Sequence, residues 1–122
     1  MAARLLLLGL VVVGAVVAVH ALRADHRCAE VKTAAAEVPL RQPAAVARAA
    51  ADRCGDPRDY VLVETFLLGR GRRDVASALA RQSTIQSPND YLGWLALGRL
   101  ADDQRALARA HDLNPRAVPA PR

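Results

Sequence analysis

The sequence predicts an all-α protein, a membrane-spanning helix followed by antiparallel helical hairpins stacked side by side. Three observations carry this. Apolar residues make up 52% of the 122 residues but aromatics only 3%. Alanine, leucine and valine therefore supply the core, and alanine and leucine are strong helix formers. The β-branched and aromatic clusters that favour strands are sparse beyond Val19. Proline, glycine and capping pairs divide the rest into short segments of helical period. A single domain of this size buries a modest core, so a cross-link or a partner is expected to support it.

The first element is apolar. The stretch 5–22 has no acidic or strongly basic side chain and is interrupted only by His20. As a helix it covers roughly 27 Å, near the thickness of a bilayer core. Residues 1–23 are read as a retained signal anchor, with residues 4–22 meeting lipid. A cleaved signal peptide remains open, because Val19-His20-Ala21 is a passable small-residue site. The helix runs on without a breaker through Glu37, which suits an anchor. Gly14 and Ala18, four apart, could seed pairing in the membrane. Orientation draws on two opposed observations. Arg4 precedes the span while Arg23, Arg27 and Lys32 follow it, which favours a cytoplasmic domain. The cysteines favour an extracytoplasmic one, and that orientation is adopted.

Residues 24–55 form the next unit. Residues 24–37 and 43–53 both read as helix, separated by Pro39-Leu40-Arg41-Gln42-Pro43. Cys28 and Cys54 stand at equal distances along the chain on either side of Arg41. In an antiparallel pair these positions share one height, within the Cα separation a disulfide needs. Closing that loop adds about 3 kcal/mol, and such bonds persist in oxidising compartments. Two unrelated buried thiols are the alternative. His26 lies near Cys28, but no zinc-ligand or haem-attachment spacing accompanies it. No metal or other cofactor is expected.

Residues 56–115 hold two more hairpins. Asp56-Pro57 is a cap followed by a first-turn proline. Helix is predicted over 57–68, with Gly69 and Gly71 after it. The run Tyr60 to Leu68 could pass as a buried strand, but the sequence offers no partner strand for it. A helix over 72–86 shows a stripe of Val75, Ala76, Leu79, Ala80 and Ser83. Ser87-Pro88-Asn89-Asp90 stops it and caps the next helix, which begins at Tyr91. A turn at Asp102-Asp103 leads to a last helix over 103–113, ended by Asn114-Pro115. Residues 116–122, rich in proline and alanine, are expected to be disordered.

Charge and motif content narrow the function. Of 17 basic residues all but Lys32 are arginine, and the acidic residues number 12. Beyond Arg23 the two signs are interspersed, and Arg70, Arg72 and Arg73 are the densest cluster. Nucleic-acid binding is not expected, since no basic stripe with interleaved aromatics exists. No serine-histidine-aspartate pattern, phosphate loop or zinc-protease motif occurs, so no enzyme is expected. Adjacent Asp102 and Asp103 would face different directions on a helix. His111 beside Asp112 reads as a favourable charge at a helix C-terminus.

Residues 57–115 resemble the tetratricopeptide repeat, whose units of about 34 residues carry W-x2-L-G-x2-Y on a first helix, then small and apolar residues and a proline. Trp94, Leu97 and Gly98 match at the family's spacing, although Ala101 stands where tyrosine is usual. Leu107, Ala110 and Pro115 match the closing part, and the turn between is shortened. One unit earlier, Tyr60, Val63 and Glu64 replace tryptophan, leucine and glycine. The resemblance implies that Tyr60, Val63, Trp94, Leu97, Gly98, Ala110 and Pro115 pack the helices together. It also implies a concave groove lined by the first helix of each pair, here Arg58, Val61 and Thr65 with Leu92, Leu95 and Arg99. The cysteine-pinned hairpin would supply the third unit that such stacks need.

The expected function is a membrane-tethered interaction module or scaffold that holds a protein or peptide. A secreted helical protein after signal cleavage, or a generic bundle subunit of a membrane complex, are the alternatives. Oligomeric state is not fixed by the sequence.

Overall fold

The computed structural model describes residues 2–37 and 42–121, with side chains described from Val12 onward except those of Ala24 and residues 38–41. Six helices follow one another, α1 (Ala2–Ala36), α2 (Pro43–Arg53), α3 (Pro57–Gly69), α4 (Arg73–Gln86), α5 (Tyr91–Ala101) and α6 (Gln104–Leu113). No strand occurs among the described residues. Tyr60 to Leu68 lies wholly within α3, which removes the strand alternative.

The helix ends follow local chemistry. Asp56, Asp90 and Asp103 cap α3, α5 and α6, accepting from the backbone N–H of Arg58, Leu92 and Arg105. Each satisfies one of the orphan donors of a helix start. Gly71, at φ 72°, allows the chain to leave α3. Asp102 takes a left-handed conformation, φ 53°, and closes α5, so the two adjacent aspartates end one helix and start the next. The proline-bounded turn expected around Arg41 falls mostly outside the described residues.

The helices pair in chain order. The C-terminal part of α1 packs on α2, α3 on α4, and α5 on α6. First helices also contact first helices, α1 with α3 and α3 with α5, while α2 touches both α3 and α4, and α4 touches α5. A continuous core runs through the stack, from Val31 and Ala35 through Ala50, Val63, Leu67 and Ala76 to Leu97 and Ala106. Small side chains set the spacing. A Cβ on Gly98 would stand 2.6 Å from the Leu107 side chain, and one on Gly93 2.9 Å from Ser83 Oγ. The α5–α6 and α4–α5 contacts therefore both use bare backbone.

Polar ties reinforce the corners. Arg70 donates to the carbonyls of Ala36 and Glu37 at the C-terminal end of α1, and to that of Phe66, with its guanidinium 5.9 Å from the Phe66 ring centre. Arg73 donates to the Arg99 carbonyl near the end of α5. These arginines fill orphan helix-end acceptors. The Tyr60 hydroxyl sits between the Ala51 carbonyl and Gln86 Oε1, and Gln86 donates to the same Ala51 carbonyl at 2.8 Å. Together they tie α2, α3 and α4 at one end. Burial raises the Tyr60 pKa against the opposing effect of Gln86, and the charge of Asp52 adds to the rise.

Two expectations change. Residues 116–118, expected to open a disordered tail, fold back on α6. Val118 is 2% exposed, and its carbonyl accepts from His111 Nδ1 at 2.7 Å, so the proton sits on that nitrogen. His111 is thus a tie for the tail rather than only a charge at a helix end. The anchor expected over 1–23 is not supported by the described part of α1: among the described residues no helix is long and apolar enough to cross a membrane. Residues 1–11, about half of that span, lie outside the described side chains.

Candidate functional site

The first helices of the second and third hairpins, α3 and α5, leave a cleft of about 210 Å³ between them, lined by Val61, Glu64, Thr65, Leu68, Ala96, Arg99 and Leu100. Helical spacing puts Val61, Glu64, Thr65 and Leu68 on one face of α3. Ala96, Arg99 and Leu100 do the same on α5. Of the groove residues expected from the sequence, the cleft gathers Val61, Thr65 and Arg99. Arg58, Leu92 and Leu95 are not among its lining residues; Arg58 is exposed at the start of α3, and the two leucines are half-buried.

Glu64 is not among the site residues expected from the sequence. It is 4% exposed, and its Oε1 has no hydrogen-bond partner. Burial pushes its carboxyl up to about 8, with no neighbouring charge contributing. The carboxyl is therefore mostly neutral near pH 7. A signal is present in the sequence, a glutamate standing where the repeat pattern has glycine, but only burial gives that departure a meaning. Buried polar groups without partners are uncommon and call for an explanation.

The expected packing residues fall as follows. Tyr60, Val63, Leu97, Gly98 and Ala110 are buried. Trp94 is half-buried, its indole donating to the Pro88 carbonyl at 2.9 Å. Pro115 is exposed, which corrects its expected packing role: the chain turns there, and Val118 fills the space against α6 instead.

A second cluster surrounds the cysteines. Cys28 and Cys54 form a disulfide with a Cα separation of 4.9 Å. Asp59 Oδ2 lies 3.3 Å from Cys28 Sγ, but a disulfide sulfur has no proton to donate. The other carboxylate oxygen pairs with Lys32 at 2.9 Å. The donor atoms of Cys28, Cys54 and Asp59 lie within 4.8 Å of one another. Bonded sulfurs are not thiolates, and the lysine ammonium occupies the carboxylate, so the group is a structural staple. His26 is exposed on α1 and does not join it. Arg70, Arg72 and Arg73 are each engaged within the domain, Arg72 through Asp74 at 2.8 Å, which holds the Asp74 carboxyl down at about 2.

Fold and site together define a stack of antiparallel helical hairpins with a largely apolar cleft carrying one buried acid. Comparison with protein-family models, with curated proteins and with solved structures finds no match. The functional reading therefore rests on the geometry.

Proposed function

We propose that the chain is a membrane-tethered interaction module, a short tetratricopeptide-like stack that holds a protein segment on the extracytoplasmic side. The observation that carries this is the double character of α1. Every described side chain from Val12 through Arg27 is exposed, including Val12, Val13, Val16, Val17, Val19 and Leu22 at 44–68%. From Cys28 onward the same helix is built into the core. Uncovered valines all round a helix lose hydrophobic stabilisation in water, roughly 25 cal/mol per Å², and regain it in lipid. An exposed helical stalk thus leads directly into a domain whose other helices are covered on their core faces. The disulfide supports the extracytoplasmic side. The chain-order pairing of helices and the cleft between two first helices support the repeat reading, and with it a binding function.

Alkaline extraction of native membranes tests the tether. The full chain should remain in the membrane pellet, and Val13→Lys with Val17→Lys should release it. Recovery of the intact wild-type chain in the wash would remove the tether, and a mature N-terminus near Leu22 would favour the secreted alternative. Cross-linking in the native membrane tests the groove. Thr65→Glu with Arg99→Glu, both at the cleft, should weaken partner capture without loss of helix content; unchanged capture removes the groove.

A further inference from the structure

The α3–α5 cleft has a polarity that narrows what it takes. Val61, Leu68, Ala96 and Leu100 give it apolar walls, and exposed Arg99 supplies its one ionisable neighbour to Glu64 among the lining residues. Glu64 is buried with an unmade hydrogen bond at Oε1. An unsatisfied buried polar atom destabilises the fold, and a ligand of the right chemistry removes that cost.

We infer that this cleft is a carboxamide site, in which the Glu64 carboxyl pairs with the side-chain amide of a partner's glutamine or asparagine while the amide's aliphatic stem lies along Val61, Leu68 and Leu100. A carboxylic acid offers one donor and one acceptor side by side, and a primary amide offers the complementary pair. A cationic ligand fits less well. Arg99 repels it at the same cleft, and a buried ion pair carries a desolvation cost that often exceeds its attraction. The neutral state of Glu64 agrees with this choice, because an amide needs no proton to leave. The rise in its pKa comes from burial.

The inference rests on the groove reading above and deepens it. The test uses the full chain in lipid nanodiscs, carrying carbon-13 at its glutamates, Glu30, Glu37 and Glu64, of which the first two are exposed and serve as internal controls. Butyramide, butylammonium and butyrate are titrated separately at millimolar concentration. Butyramide should shift the Glu64 carboxyl resonance saturably and leave Glu30 and Glu37 in place. Its affinity should hold level up to about pH 8 and then fall about tenfold per pH unit as the donor is lost. Glu64→Gln should keep the site and lose that pH dependence. Glu64→Leu should keep the helical fold but lose the saturable butyramide response of the Leu100 methyl groups. Saturable binding of butylammonium or butyrate in place of butyramide, or a butyramide response that survives in Glu64→Leu, overturns the inference. Butyramide binding combined with partner capture that ignores Thr65→Glu and Arg99→Glu supports the carboxamide site and removes the scaffold reading. Partner capture through the groove with no butyramide response does the reverse.

Discussion

The second and third hairpins use one frame with opposite solutions at a single position. Tyr60, Val63 and Glu64 on α3 precede Trp94, Leu97 and Gly98 on α5 by the same number of residues each. The aromatic and aliphatic members of the two triplets do similar work, filling the space between helices with their bodies and fastening a polar tip to a carbonyl, Tyr60 to Ala51 and Trp94 to Pro88. The third members diverge. Gly98 lies against the backbone of Leu107, where an added Cβ would come 3.0 Å from the Leu107 nitrogen. Glu64 instead lines the cleft toward α5. A close helix crossing requires the smallest residue, whereas the wider α3–α5 spacing accommodates a long side chain, here a buried one. The position that packs one hairpin becomes, in the other, the chemical character of the cleft.

Exchanging the solutions should break the pattern most severely. Gly98→Glu forces a side chain into the α5–α6 crossing and buries a charge there. It should cost more than about 3 kcal/mol, the upper end of overpacking effects, and thermal unfolding followed by helix signal will show it as a large fall in Tm or as loss of the folded state. A fall of less than a few degrees would mean that α6 yields easily and that the glycine is incidental.

The first hairpin sharpens the comparison, because it relies on a covalent bond where the others use an aromatic and a close crossing. Its contacts are alanine and valine, which bury little area. Removing the bond by Cys28→Ser with Cys54→Ser should cost about 3 kcal/mol, from the loop of the unfolded chain that is no longer closed. Denaturant titration of oxidised and substituted protein measures this. An unchanged midpoint would show that packing alone holds α1 to α2.

Glu64→Gln should act in the other direction. The folded-state pKa of Glu64, about 8, lies above its ordinary 4.5, so folding takes up a proton between those values. The contribution is fully present below pH 4.5 and is lost as pH rises through about 8. Wild-type stability should therefore fall with pH across that window, by as much as roughly 1.4 kcal/mol per unit. The glutamine variant should be flatter and, near neutrality, more stable by roughly 3 kcal/mol. Parallel curves for the two proteins would place Glu64 in water.

The smallest effect is expected at the aromatic tip. Tyr60→Phe keeps the ring and removes the hydroxyl between Ala51 and Gln86, leaving Gln86 still bonded to the Ala51 carbonyl. The loss should be about 1 kcal/mol, that of one ordinary hydrogen bond, read from the same denaturant titrations. A much larger loss would make this corner, rather than the shared frame, the point that holds α3 in place.

The sequence by itself determined the helices, their order and the cross-link. Asp56-Pro57, Asn89-Asp90 and the Asp102-Asp103 turn are local signals, read by backbone groups close by in the chain, and such helix ends depend little on the rest of the fold. The cysteine pairing was legible for a related reason, since equal spacing about one turn fixes equal height in an antiparallel pair. Tertiary structure alone decided which groove residues meet, bringing Val61, Thr65 and Arg99 together and leaving Arg58, Leu92 and Leu95 apart, because that depends on the angle at which α5 crosses α3. It also decided the state of Glu64 and the folding back of Val118 onto His111. Burial is a property of the assembled packing, and a carboxyl that reads as one more surface charge in the sequence becomes a neutral, unpartnered acid only when helices from elsewhere in the chain close over it.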